Sequence, residues 1–230
     1  FGGCRCAASA LTMHKIYTNM VLDSAGIPQA RWTWCRAFDY QKEPAAVLER
    51  MEKALGYPVF VKPANAGSSV GVGKASNREE LSRCIEAAAA CDQRIVLEEA
   101  VAGKEVECAV LGNEEPVAAT VGEIVPCNEF YDYEAKYQLE SALYIPARLP
   151  AQTIEEIRRM AVKAFLALGC EGMARVDFFV RESDGAVLLN EPNTIPGFTS
   201  ISMYPKLFDA VGLPYPQLLS RLIELGLERA

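Results

Sequence analysis

Two stretches late in the chain set carboxylates, an amide and a guanidinium at strand spacing. In MARVDFFV and AVLLNEPN, Arg175 and Asp177 are two residues apart, as are Glu191 and Asn193, so each pair shares one face of a strand. RESDG joins the two runs. A three-residue loop of Ser183, Asp184 and a left-handed Gly185 predicts Asp177 opposite Glu191 and Arg175 opposite Asn193. Facing carboxylates destabilise a sheet unless a cation lies between them, and carboxylate and amide oxygens are hard ligands suited to Mg²⁺. A two-residue turn at Asp184 and Gly185 would instead oppose Asp177 to Pro192 and turn Glu191 to the other face. The flanking Phe178, Phe179, Leu188 and Leu189 favour burial over a solvated hairpin.

A second pattern is VFVKPANAGSSVGVGK. Lys62 ends a short apolar strand, where a buried ammonium needs an anionic partner. Gly67, Ser68, Ser69, Gly71 and Gly73 follow, and such a loop can offer N–H groups and hydroxyls to phosphate oxygens. It is not a Walker A loop, since Gly-Lys-Ser/Thr is missing and a strand follows. By itself it is more often a plain hairpin turn. In a third pattern, IVLEEAVAGKEVE, Glu98 and Glu99 end a strand and Glu105 lies just past a Gly-containing turn. Carboxylates there can accept from ribose hydroxyls; a solvated acidic turn fits equally well.

These residues need elements to hold them. Ile16, Met20 and Val21 recur at helical spacing, predicting a helix over 12–25 that stops at Gly26 and Pro28. RWTWCRAF reads as a strand, 44–55 as a helix, YPVFVK and VGVGKA as strands, 77–91 as a helix capped by Asn77 with Glu80 following, and IVLEE as a strand. This forms an α+β unit, about residues 4–98, with helices on one side of a small sheet. KEVECAVLG and PVAATVGEIVP are strand-like runs around the turn GNEE. NEFYDYEAKYQLESA has no clean period and reads as a functional loop. A helix at 151–168, strands at 173–181 and 186–192, and a helix at 214–228 complete a second α+β unit.

Composition excludes several classes. The chain of 230 residues is 50% hydrophobic, enough to fill a core. Its 23 Lys and Arg against 30 Asp and Glu, a net charge of -7, argue against a nucleic-acid-coating surface. No apolar run reaches the roughly 18 residues of a membrane span, and the opening lacks the regions of a signal peptide, so a soluble intracellular protein is expected. The eight cysteines lie scattered without a C-x-x-C pair, as expected of free thiols. His14 is the sole histidine; it reads as a helix-surface residue, and no Ser/His/Asp or Cys/His mechanism is supported.

Lys62 with GSSVG, Glu98 to Glu105, FYDYEAKY, Arg175 with Asp177, and NEPNTIPGFTSISMYPKLF together resemble the D-alanine-D-alanine ligases. ASALTMHK also resembles their ASALxMDK, with His14 in place of the acid. The resemblance implies an α+β ATP-grasp fold, two subdomains holding ATP between them: 1–98 with the glycine-rich loop, and 99–230 with the metal and substrate sites. It implies that Lys15, Lys62 and Ser69 contact phosphates, that Glu98, Glu99 and Val101 line the adenine site, and that Glu105 holds the ribose. Asp177, Glu191 and Asn193 would bind two Mg²⁺, with Mn²⁺ as a substitute. Arg175 and the backbone of Gly197 would stabilise an oxyanion. Ser202 and Met203 would receive the second substrate's carboxylate. Lys136 and Tyr137 would lie on a closing loop, Lys136 touching ATP as well and Tyr137 joined with Ser68. The implied reaction is ATP-dependent ligation of two D-alanines for peptidoglycan, in a cytoplasmic enzyme that is a homodimer when whole. Phe1 and the early glycines read as a chain lacking the family's first domain, and hence as weak or inactive alone. The alternatives are a D-alanine-D-serine ligase and an isolated nucleotide-binding module.

Overall fold

The chain, seen in a computed structural model, is described over residues 2–67, 70–125 and 142–229. Ser68, Ser69, Lys136, Tyr137 and most of the expected closing loop lie outside the described residues.

Two antiparallel sheets organise the molecule. The smaller has the order β1-β4-β2-β3, from β1 (Trp32–Arg36), β2 (Val59–Pro63), β3 (Gly73–Ala75) and β4 (Arg94–Glu99). Three helices cover one of its faces: α3 (Ala37–Lys42), α4 (Pro44–Leu55) and α5 (Arg78–Ala89). Their apolar stripes bury Val47, Met51, Leu81 and Ile85 against Val59, Val61, Ile95 and Leu97. Asn77 starts α5 as expected: its side-chain oxygen accepts from the Glu80 N–H at 3.0 Å, a cap worth about 1 kcal/mol.

The larger sheet has the order β7-β6-β5-β8-β9. Its strands are β5 (Gly103–Gly112), β6 (Val117–Val125), β7 (Ala142–Tyr144), β8 (Gly172–Arg181) and β9 (Val187–Asn193). One face packs against α1 (Cys6–Met13), α2 (Lys15–Ser24) and α6 (Ala151–Ala167), burying Val106, Val176, Phe178, Ile157 and Phe165. At the far end of the other face lie α7 (Met203–Asp209) and α8 (Tyr215–Leu227), over Ala109 and Leu111. The remainder of that face carries the charged residues.

Three local expectations differ from the structure. The helix over 12–25 is two helices, broken at His14, whose φ of -99° and ψ of 95° are not helical. The break is tertiary: the Lys15 N–H donates to the Ala64 carbonyl beyond β2 instead of to a carbonyl one turn back. His14 is accordingly buried rather than on a helix surface, and its ring stacks on Tyr17 at 4.1 Å. The strand RWTWCRAF ends at Arg36, where the Ala37 N–H turns to the Gln93 carbonyl and Asp39 takes both prongs of the Arg36 guanidinium. α1 and α2 also belong to two cores: Ala8 and Leu22 pack beneath the larger sheet, while Ile16 meets Ala64 and Val96 of the smaller one.

Among the described residues no helix is long and apolar enough to cross a membrane, and the seven described cysteines are free thiols.

Candidate active site

Along β8, buried and half-buried residues alternate without a break, the period-2 signature of a strand with one core face. Ala174, Val176, Phe178 and Val180 go to the core. Met173, Arg175, Asp177 and Phe179 therefore share the opposite face.

The register places Asp177 opposite Glu191 and Arg175 opposite Asn193, as the sequence predicts, but by another route. The hairpin tip is longer than expected: Arg181 pairs with Ala186, and the Gly185 N–H donates to the Arg181 carbonyl across a four-residue loop. Gly185 sits at φ 72°, where a side chain would be strained. That tip aligns Phe178 with Leu189. A bulge at Asn190 then moves the partner of Asp177 from Asn190 to Glu191. One extra loop residue and one extra strand residue compensate, and Glu191 reaches the charged face.

β5 extends the row. Glu107 pairs with Asp177 and Ala109 with Arg175, so Glu107, Asp177 and Glu191 stand in one rung across three strands. Glu105 lies two residues away on the same face. Arg175 answers this charge: its Nε and Nη2 donate to Asp177 Oδ1 and Oδ2, each at 2.8 Å, and Nε lies 3.2 Å from Glu107 Oε2. Burial opposes the guanidinium charge, but Asp177, Glu107 and Glu191 outweigh it and raise its pKa far above the usual value. Sequence reasoning missed Glu107. Its position two residues after Glu105 on a strand was the available signal.

The facing wall comes from the smaller sheet. Lys62 donates to Glu98 Oε2 at 2.6 Å in a largely buried pair. Burial works against the Lys62 charge, and Glu98, Glu191 and Glu105 more than offset it, raising its pKa. Lys62 thus feels carboxylates of both sheets. A cleft between them is lined by Lys15, Lys62, Glu98 and Glu191, with Thr12 and Asn19 at its α1–α2 side. Lys15 Nζ donates to the Ala66 carbonyl at 2.7 Å, tethering the start of the glycine-rich loop. Gly71 has φ 69°, and a Cβ there would meet Pro63 and Cys91 at under 3 Å, so glycine is required in this loop.

Other expected residues are placed differently. Glu99 follows Glu98 on the strand and points to the opposite face, where its carboxylate accepts from Arg31 Nε at 2.7 Å and from the Arg31 N–H. Val101 is half-buried in the turn to β5. Asn193 Oδ1 accepts from the Ile195 N–H at 3.2 Å. In the turn after β9, Ser202 Oγ accepts from the Thr199 N–H and lies so close to Gly197 that a Cβ there would sit 2.7 Å from it. The Met203 side chain is buried among Tyr204, Leu207 and Ala119 and lies over Gly122. It is a core residue, leaving only its backbone for a carboxylate.

Two carboxylates and an amide oxygen on adjacent rungs suit a hard divalent cation. Yet among the described residues no three His, Cys, Asp or Glu side chains are arranged around one cation position. Asp177 has both oxygens on Arg175, which accounts for part of this.

A family model described as the D-ala D-ala ligase C-terminus matches residues 21–224. This chain belongs to that family. It is 53% identical over 228 residues to a D-alanine–D-alanine ligase of Acetivibrio thermocellus, covering 99% of this chain and 61% of that protein. To the same-named enzyme of Chlorobium chlorochromatii it is 52% identical, covering 99% and 64%. Among solved structures, the VanG D-Ala:D-Ser ligase from Enterococcus faecalis superposes with a TM-score of 0.87 at 41% identity, over 97% of this chain and 64% of that one. The D-alanine-D-alanine ligase from Coxiella burnetii gives 0.84 at 36% identity, over 99% and 60%. The chain therefore spans somewhat under two thirds of these relatives. The expected α+β ATP-grasp fold holds. The matched segment contains the carboxylate rung, Lys62 and the glycine-rich loop, whereas Lys15 lies just before it.

Proposed function

We propose that this chain carries the nucleotide, metal and oxyanion sites of an ATP-dependent ligase that joins two D-alanines. The observation that carries this reading is the shared field of the cleft: Lys62 of one sheet is held charged by Glu98 beside it and by Glu191 and Glu105 across the cleft. Such a cleft suits a nucleotide phosphate chain with divalent cations, phosphate meeting the ammonium and metal meeting the carboxylates.

A carboxylate is a poor acyl donor, so the first D-alanine would attack the γ-phosphate to give an acyl phosphate and ADP. Lys62 and Lys15 would orient the phosphates, with Ser69 and the glycine-rich loop closing over them and Lys136 contributing from the loop beyond β6. Glu98, Glu99 and Val101 would lie along the adenine and Glu105 at the ribose. Asp177, Glu191 and Asn193 would hold Mg²⁺ or Mn²⁺, which when bound offsets the charge of phosphoryl transfer. The second D-alanine's amine would then attack the acyl carbon, the amide forming as the acyl C–O bond breaks, inorganic phosphate leaves and the amine gives up a proton. Arg175 and the Gly197 backbone would receive the oxyanion, Ser202 and the Met203 backbone the incoming carboxylate, and Ser68 and Tyr137 would orient the amine. Residues 1–98 would act as the central subdomain and 99–230 as the C-terminal one. The whole protein would serve peptidoglycan synthesis as a cytoplasmic homodimer.

Calorimetric titration with ATP, with and without Mg²⁺, tests this: binding should be Mg²⁺-dependent, and its absence would reject the reading. A second reading, D-serine as the incoming amino acid, is compatible with the likeness to the Enterococcus faecalis D-Ala:D-Ser ligase, while the D-alanine reading has the nearer relatives among those compared. An added hydroxyl is poorly rejected by a pocket that tolerates it. Competition of D-alanine against D-serine in the full-length protein decides between them.

A further inference from the structure

The charged rung contains a carboxylate that the proposed reaction leaves without a role. Glu107 is buried on the central strand β5, directly opposite Asp177. Its Oε2 lies 3.2 Å from Arg175 Nε, the same nitrogen that donates to Asp177 Oδ1. Arg175 is thus held between two carboxylates on neighbouring strands.

We infer that Glu107 is the positioning residue of Arg175, the carboxylate that retains the guanidinium when Asp177 turns from it toward a divalent cation. The inference rests on the metal-binding reading of Asp177 and adds a residue to it. As the chain stands, Asp177 has both oxygens on Arg175, and a carboxylate in a bidentate pair is a weaker cation ligand until it gives up an oxygen. Giving it up strands a largely buried guanidinium, and an uncompensated buried charge is strongly unfavourable. Glu107 removes that obstacle. It already touches Nε, and β5 is flanked on both sides by paired strands, so Glu107 keeps its place while Asp177 shifts. Arg175 then stays where an oxyanion can meet it, because its own anchor does not depend on the metal.

The test counts free Mn²⁺ by electron paramagnetic resonance in the presence of ATP, on the full chain described here. Glu107→Gln should weaken Mn²⁺ binding about 10-fold or more, the usual cost of losing an outer partner of a metal ligand. In an Arg175→Met background, where nothing needs retaining, Glu107→Gln should add no further loss. An unchanged or tighter affinity in the Arg175 chain would overturn the inference. So would equal losses in both backgrounds, which would make Glu107 a ligand or a general support of the fold. If the wild-type chain binds no Mn²⁺ while its fold is intact, the metal-binding reading fails and this one with it. Should Arg175→Met not fold, hydrogen exchange at Arg175 Nε–H gives the same answer by NMR. Mg²⁺ with ATP should leave that proton protected in the wild type and expose it in Glu107→Gln; equal protection in both would reject the handover.

Discussion

Two carboxylate clusters lie on opposite faces of the larger sheet, and they are built in opposite ways. On the α6 face, Glu123 is almost fully buried and answered by cations: Arg148 donates through Nε and Nη2 at 3.0 and 2.8 Å, and Lys104 lies at 3.1 Å. The Arg148 side-chain hydrogen bonds, with Lys104 and the Arg148 N–H, outweigh burial and lower the Glu123 pKa to about 2. On the other face, Glu107 and Asp177 share the Arg175 guanidinium, while Glu105 and Glu191 act on Lys62 across the cleft. One cluster is balanced and ties β6 to the segment leading into α6. The other gathers like charge across three strands, which by itself costs a sheet stability. Glu123 is buried among its cations, whereas in the other group only Glu107 is buried and Glu105, Asp177 and Glu191 are half-buried.

The largest effect should come from the crowded face: Asp177→Asn or Glu191→Gln should weaken Mg²⁺-dependent ATP binding by more than about 100-fold, beyond the loss typical of an outer partner. Glu182→Gln at the hairpin tip should leave it unchanged. Calorimetry reads both, and equal effects would dissolve the distinction.

Next comes the balanced face. Glu123→Ala should cost about 2 kcal/mol in a denaturant titration and leave ATP affinity within about twofold, below the 1.4 kcal/mol that marks a tenfold change. The pH sign follows from a folded pKa below the unfolded one. The Glu123 contribution is complete above its ordinary pKa of 4.5 and is lost as pH falls toward about 2. Stability measured over that window should slope less steeply in Glu123→Gln than in the wild type.

His14 offers a third case, a buried titratable ring with no hydrogen-bond partner at either nitrogen among the described residues. Burial, together with Arg94 and Lys15, lowers its pKa against the opposing pull of Asp92. The unfolded chain therefore takes the proton first, and stability falls as pH drops below the ordinary 6.5 until the folded pKa is passed. His14→Phe should flatten this part of the thermal-stability profile; an unchanged slope would assign it to other groups. The smallest expected change is Asn77→Ala, about 1 kcal/mol of stability with no change in ATP binding, since the cap lies on the outer helix layer.

Much of this was legible from residue spacing alone. The helix at Pro44–Leu55, the Asn77 cap and the β8–β9 pairing follow from local rules: apolar period, a side-chain acceptor before a helix, a left-handed glycine in a tight loop. The sharing of a face by Arg175 and Asp177 needed only the two-residue repeat of a strand. The pairing of Asp177 with Glu191 was reached from an assumed three-residue loop, and it stood because a four-residue loop and the Asn190 bulge cancel.

Tertiary structure decided what depends on partners distant in sequence. Glu107 joins the rung because β5 pairs with β8, some seventy residues later in the chain, and no local period encodes that neighbour. The Ala64 carbonyl takes the Lys15 N–H, so an apparently continuous helix breaks and His14 is buried. Glu98 and Glu99 are adjacent letters, and a strand's alternation alone says they part. Which of them faces the cleft was set by the packing of α3, α4 and α5 on the other side of the sheet. Sequence spacing determines which side chains travel together, because backbone geometry repeats locally; only long-range burial determines which way they face and what they meet.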